Sequence, residues 1–268
     1  MSQTIPVLKV EAQTIPEGWE RSVIACWEQG AQISTEYDKP GDPPSRDCTM
    51  ILAVSDSLAE PRIHRAFPGG LEDLEVYRQE VIHGVHDHWI DPAAGKWEYT
   101  YSERLFKYKV EGQSVNQIDY VVSKLAAAPH TRRAQAVTWK AWVDPQADDP
   151  PCLQRLWFRI HDDRLILNVH IRSNDAYKAA FMNMFVFTDL QRIVAEQVGE
   201  RLGKPIAAGT YVHIADSYHI YGSYFDEFKG FLETVKKRTF EERVWTTDFA
   251  EPFFEEGRKR LEGEGEGH

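Results

Sequence analysis

Residues 150–183, reading PPCLQRLWFRIHDDRLILNVHIRSNDAYKAAFMN, bring together a nucleophile and an anion site. Cys152 follows Pro150 and Pro151, which hold the chain extended ahead of it. Twenty residues on come Arg172, Ser173, Asn174 and Asp175, at an expected strand-to-helix junction. Free backbone N–H groups and a positive dipole end would collect there, and Arg172 adds a fork that suits a carboxylate or phosphate. A thiolate next to an anion site is the equipment of covalent catalysis, in which one hard step becomes two easier ones.

The elements that must position these groups are legible in the hydrophobic pattern. Leu165, Leu167, Val169 and Ile171 alternate with polar neighbours, the period of a half-buried strand. Residues 153–160 read as its hairpin partner, with His161-Asp162-Asp163-Arg164 as the turn. Further strands are expected near 7–10, 49–54, 134–139 and 209–216. Helices are expected near 19–29, 71–85, 117–127 and 225–238, and one running past Asn183 to about residue 202. On a wheel for residues 71–85, Leu71, Leu74, Val81, Ile82 and Val85 form the buried face. Glu75 lies at the margin of that face and Glu80 nearly opposite it.

The set of motifs resembles the thymidylate synthase family. The resemblance rests on Thr131-Arg132-Arg133-Ala134, Pro150-Pro151-Cys152, Arg172-Ser173-Asn174-Asp175, Phe181-Met182-Asn183 and His219-Ile220-Tyr221. It implies a single-domain α+β fold over residues 1–257, a large mixed β-sheet flanked by helices, thymidylate synthase-like, dimerising through the sheet. Residues 258–268, charged and glycine-rich, are expected to be a disordered tail.

The resemblance also assigns roles. Cys152 would be the nucleophile. Arg46 (the weakest of the matches) and Arg172 with Ser173 would bind the nucleotide phosphate, and Arg132 and Arg133 would reach across a homodimer to the partner's phosphate site. Asn183 would read the base, and His219 and Tyr221 would hold the sugar hydroxyl. Glu75, preferred to Glu80 by the wheel, would relay protons, and Tyr101 would position water. Trp89 and Asp175 would hold the cofactor, 5,10-methylenetetrahydrofolate or a related methylene-tetrahydropterin such as tetrahydromethanopterin.

The implied reaction has a plain chemical logic. C5 of a uracil ring is too weak a nucleophile to attack a one-carbon donor until a thiolate adds at C6 and makes an enolate. Arg172, Arg132 and Arg133 are expected to supply a positive field that favours the thiolate. The Asn183 amide donates and accepts in one plane, matching O4 and N3–H of uracil. Two departures leave the donor open. The segment after Asp175 reads Ala176-Tyr177-Lys178-Ala179-Ala180 instead of the family's apolar cofactor strip, and the chain lacks the family's apolar C-terminal residues. Methylation of dUMP, hydroxymethylation of a pyrimidine nucleotide and a silent nucleotide-binding homologue are the three readings.

Composition narrows the classes. The chain has 268 residues, 42% hydrophobic and 27% charged, enough for one large core and a polar surface. A net charge of −11 argues against holding nucleic acid or an anionic membrane by bulk electrostatics, so a small anionic substrate needs a local basic pocket. Three cysteines without framework spacing suit a reducing cytosol. His83, His86 and His88 lack the four-residue spacing of a helical zinc site, so no metal is expected. No stretch reads as a membrane span or a signal peptide.

Overall fold

The computed structural model describes residues 4–265. In chain order the elements are β1 (Val7–Ala12), α1 (Ile15–Gln29), β2 (Ala31–Ile33), β3 (Ser45–Val54), β4 (Ile63–His64) and α2 (Leu71–His83). Then come α3 (Tyr101–Phe106), β5 (Tyr108–Val110), β6 (Gln113–Val115), α4 (Gln117–Ala127), β7 (Gln135–Val137), β8 (Leu153–His161) and β9 (Arg164–Asp175). The last are α5 (Ala180–Leu202), β10 (Ala207–Ile220), α6 (Phe225–Lys237), β11 (Val244–Trp245) and α7 (Thr247–Gly265).

A seven-stranded mixed sheet in the order β1-β3-β10-β9-β8-β7, with β2 added to β3, carries the fold. β1 runs parallel to β3 and β9 parallel to β10, while the other pairs are antiparallel. Side chains alternate across it. Met50, Leu52, Leu167, Val169 and Ile171 are fully buried on one face, where α1 and α5 pack. On the other face Ile51, Ile166, Val212 and Ile214 are only half-buried. The predicted α+β class, the large mixed sheet and the hairpin agree with this architecture, and Asp162 and Asp163 turn the hairpin at φ 49° and 54°.

Local chemistry sets the boundaries. Thr14 caps α1, accepting from the Glu17 N–H at 3.5 Å, with Pro16 in the first turn. α2 stops at His83, two residues short of expectation, because Gly84 takes φ 67° and closes the helix. A Cβ there would meet Asp87 Oδ2 and Ser102 Oγ at 2.6 Å, so only glycine fits. Cys26 and Cys48 are buried free thiols whose Sγ atoms lie 3.1 and 3.6 Å from the Tyr218 carbonyl oxygen.

Two expectations are corrected. Arg172 to Asp175 do not enter a helix: β9 continues through Asp175, because Ser173 and Asp175 pair with Ser217 and His219 of β10. Helix α5 starts at Ala180, after a turn that Trp19 ties down by donating its indole N–H to Ala176 O at 2.9 Å. The tail is not irregular from Arg258. α7 runs to Gly265, held by packing on α2 and by Arg258 and Arg260, which pair with Glu75 and Asp73. Residues 266–268 lie outside the described residues.

Candidate active site

Cys152 stands one residue before β8, half-buried, and the strand ladder fixes it: the Arg172 N–H donates to Cys152 O at 2.9 Å. The Arg172 guanidinium donates to Pro151 O at 3.1 Å and Pro150 O at 2.6 Å, so the fork that the sequence reserves for an anion also clamps the loop that carries Cys152. The register between β8 and β9 slips at Leu153/Arg155, and that between β10 and β3 at Ala215/Tyr218. Such irregularities bend a strand and re-aim its side chains. Within one chain, burial governs the thiol. Burial pushes it above its ordinary value, Asp149 adds to the rise, and the Arg172 charge, acting downward, does not overcome them.

Three tyrosines lie close enough to Cys152 to feel its charge. Tyr101 accepts from the Leu153 N–H at 3.1 Å, and Tyr77 donates to Asn183 Oδ1 at 2.6 Å. Burial raises Tyr77, Tyr99 and Tyr101 above the usual phenol range, and a charge on Cys152 raises each further. Beside them opens a cleft of about 620 Å³, lined by Tyr77, Glu80, Trp97, Glu98, Tyr99, Tyr101, Asp148 and Asp149 among others.

Helix α2 sends Tyr77 and Glu80 to this cleft and turns Glu75 away. Burial raises the Glu80 carboxyl above the usual range, opposed by His86, whose Nδ1 lies 3.0 Å from Glu80 Oε2. Glu75 is fully buried against α7, where Arg78, Arg258 at 3.2 Å and the Gln79 amide at 2.7 Å hold its carboxylate. The choice of Glu75 as proton relay is therefore corrected. The wheel identified burial rightly, but the core that buries Glu75 is the α2–α7 seam.

At the end of β10, His219 and Tyr221 meet with ring centroids 4.6 Å apart. Ser217 Oγ donates to Asp47 Oδ2 at 2.7 Å and lies 3.0 Å from His219 Nδ1. A hydroxyl has one proton, so with that proton on Asp47 it accepts from His219 Nδ1–H, and Nε2 is left as an acceptor. Burial lowers His219 and raises Asp47, and it pushes Tyr221 up to about 12. Asp175 Oδ1 accepts from the N–H groups of Tyr177 and Lys178 at 3.0 and 2.8 Å, and Oδ2 accepts from the Tyr224 hydroxyl. Ser173 is half-buried on β9, one residue after Arg172.

Other predicted residues lie apart. Arg46 donates to Gly30 O at 3.3 Å and lies over the Trp27 ring at 5.8 Å, contacts that turn it to the end of α1. Trp89 stacks on His86 at 3.7 Å and meets Trp97 edge-on at 5.0 Å, behind the cleft rim. Arg132 and Arg133 are exposed, and among the described residues their guanidinium groups make no hydrogen bond or ion pair. Among the described residues no helix is long and apolar enough to cross a membrane, and no three His, Cys, Asp or Glu side chains converge as a metal ion would need.

A family model described as thymidylate synthase matches residues 69–247, more than half of the chain. The chain belongs to the thymidylate synthase family. Two archaeal relatives carry the name "Putative thymidylate synthase". That of Methanococcoides burtonii is 30% identical over 227 residues, 85% of this chain and 95% of its own. That of Methanocaldococcus jannaschii is 32% identical over 220 residues, 80% of this chain and 91% of its own. The fold is similar to that of the thermostable thymidylate synthase A from Bacillus subtilis, with a TM-score of 0.62 at 19% identity over 81% of this chain and 83% of that one. Such identities make this chain a divergent member of the family.

For this thymidylate synthase family member, sequence reading missed Tyr77, Tyr99, Asp47 and Ser217 as neighbours of the site. A signal existed for two of them. Tyr77 is three residues from Glu80 on a helix, and Ser217 two from His219 on a strand, the spacings that share a face. Asp47 had none, because its place beside His219 is set by the register of β3 on β10.

Proposed function

We propose that the protein methylates C5 of dUMP to give dTMP through a covalent bond between Cys152 Sγ and C6 of the base. The observation that carries this reading is a set of links: Arg172 clamps the loop of Cys152, Tyr101 bonds the next residue, Leu153, and Tyr77, which lines the cleft with Tyr101, bonds the Asn183 amide. The Cys152 sulfur bonds to C6, and the C5–C6 π electrons move toward O4, giving the enolate whose C5 attacks the donor carbon. Glu80, whose carboxyl burial raises above the ordinary range, supplies a proton toward O4. After C5 bonds to the one-carbon unit it loses its own proton; the transfer would be completed when the bond from that carbon to the donor amine breaks, a hydride equivalent from the donor reduces the carbon to methyl, and the thiolate leaves C6 to restore the ring. Phosphate on Arg172 turns binding energy into orientation of C6 over the sulfur.

The donor, a methylene-tetrahydropterin when bound, brings one carbon and, for a methyl product, the electrons that reduce it. Trp97, Tyr99 and Tyr101 offer a flat heterocycle aromatic faces in a cleft of about 620 Å³. Asp175 is a weaker match to a pterin-holding role, because both of its oxygens already accept bonds within the chain.

Incubation with dUMP and either 5,10-methylenetetrahydrofolate or its methanopterin counterpart, followed by product mass, tests the reading. A methylated nucleotide supports it. A hydroxymethylated one means that water, in place of hydride, adds to the C5-methylene carbon, and unchanged nucleotide with both donors overturns it. Cys152→Ala should abolish tritium release from C5, and turnover near the wild-type rate would remove the covalent mechanism.

The homodimer belongs to the same reading. Ile51 faces Ile214 and Ala53 faces Val212 on the sheet face opposite α1 and α5, and Arg132 and Arg133 lack partners within the described chain. A second copy laid on that face would cover these apolar side chains and give the arginines a phosphate to bind. Mixing inactive Arg133→Ala with inactive Cys152→Ala should restore partial activity. No recovery after verified subunit exchange would return the arginines to their own subunit.

A further inference from the structure

We propose that Tyr77 is a positioning residue for Asn183: it fixes which way round the amide meets the base, and so makes the site select a uracil ring over a cytosine ring. The proposal rests on the reading of Asn183 as the residue that faces the base.

Three observations carry it. Tyr77 and Asn183 come from different helices, α2 and α5, yet the Tyr77 hydroxyl donates to Asn183 Oδ1 at 2.6 Å. The Tyr77 ring lines the cleft beside Tyr101, whose hydroxyl holds the Leu153 N–H next to Cys152. Among the described residues, the Asn183 Nδ2 donors have no hydrogen-bond partner, although the residue is only 7% exposed. The amide thus has its oxygen committed to α2 and its nitrogen unspent.

An amide oxygen has two lone pairs, so Oδ1 holds the Tyr77 proton and still accepts N3–H of uracil while Nδ2 donates to O4. Cytosine offers the opposite pattern, an acceptor at N3 and a donor at the 4-amino group. To meet it the amide must turn over, which places Nδ2 against the Tyr77 hydroxyl. That oxygen is able to accept, but its own proton then loses its acceptor. Burial holds the proton on, as it raises the phenol well above its usual range. A stranded donor in a buried site carries the full desolvation penalty, whereas the uracil arrangement keeps the Tyr77 proton on its acceptor. Selectivity therefore arises one residue behind the group that touches the base.

The experiment measures kcat/KM for dUMP and for dCMP with wild type and Tyr77→Phe, with melting temperature as control. Removing the hydroxyl removes the stranded proton, so the preference for dUMP should fall about tenfold, mainly through a gain on dCMP. A wild-type preference that survives unchanged in Tyr77→Phe overturns the role of Tyr77 and leaves the base-reading role of Asn183 standing. A wild type that turns over neither nucleotide overturns that reading, and this proposal with it. Should Tyr77→Phe not fold, 3-fluorotyrosine placed at position 77 keeps the ring and strengthens the donor. The dUMP preference should then rise, and an unaltered ratio overturns the proposal.

Discussion

Glu75 and Glu80 lie on the same helix, five residues apart, and receive opposite treatment. Glu75 is sealed in the seam between α2 and α7, with two arginines and a glutamine around it. Glu80 reaches the cleft, with His86 as its polar partner and its carboxyl raised by burial. At 100° per residue the two side chains point about 140° apart, so no single environment serves both. A fully paired buried carboxylate is a structural part. A partly desolvated carboxyl in a cleft lined by three tyrosines has the setting that proton transfer needs.

Substitution by glutamine separates the two roles, since it keeps the shape of each side chain and removes its charge and proton. Glu80→Gln should show the largest effect, a fall in kcat of about 10²- to 10⁴-fold with little change in melting temperature. A rate within a few-fold of wild type would place the proton path elsewhere. Glu75→Gln should do the reverse. It leaves Arg78 and Arg258 facing a neutral amide at a fully buried position, a loss of about 3 kcal/mol in denaturant titration with near-normal kcat at low temperature. An unchanged unfolding midpoint would mean that the pairing contributes nothing.

The smallest effect concerns pH. Burial raises the Cys152 thiol, so in the free protein the reactive thiolate should be scarce at neutral pH. Alkylation of Cys152 should accelerate as pH rises, with an inflection above the ordinary thiol value of about 8.5. The sign differs for Glu80, whose raised value keeps it protonated to higher pH than an ordinary carboxyl. As a proton donor it should lose activity on the alkaline side, an arm that Glu80→Gln should flatten. A Cys152 inflection below neutrality would instead restore the positive field that the sequence suggests.

The sequence made the hairpin and the long helices readable because their periods are local. The α4 bounds, Gln117–Ala127, are those of the apolar pattern, and α5 ends where Gly203 allows it. Contacts between elements were not readable. A wheel for α2 identifies a buried face but not that the C-terminal helix supplies part of the cover. The charged stretch from Arg258 reads as solvated, yet to Gly265 it continues helix α7, because α2 offers charges that suit Arg258 and Arg260. Arg172 was found from its motif, but its bonds to the carbonyls of Pro150 and Pro151 depend on β8 and β9 pairing, which a motif does not describe.

The seam between α2 and α7 has a consequence in the order of synthesis. Glu75 and Arg258 are 183 residues apart in the chain. At roughly 5–20 residues per second, the arginine is made about 10 to 40 s after the glutamate. Gly257, beside it, lets the two helices approach closely: a Cβ there would lie 2.9 Å from Glu72 O. Until that stretch is made, α2 has Arg78 as a charged partner for Glu75 but lacks the surface that seals it. The helix that carries Tyr77 and Glu80 is thus among the first long helices to be synthesised and among the last to be locked. A nascent chain would hold its thiol and tyrosines before it holds the cleft that gives them a function.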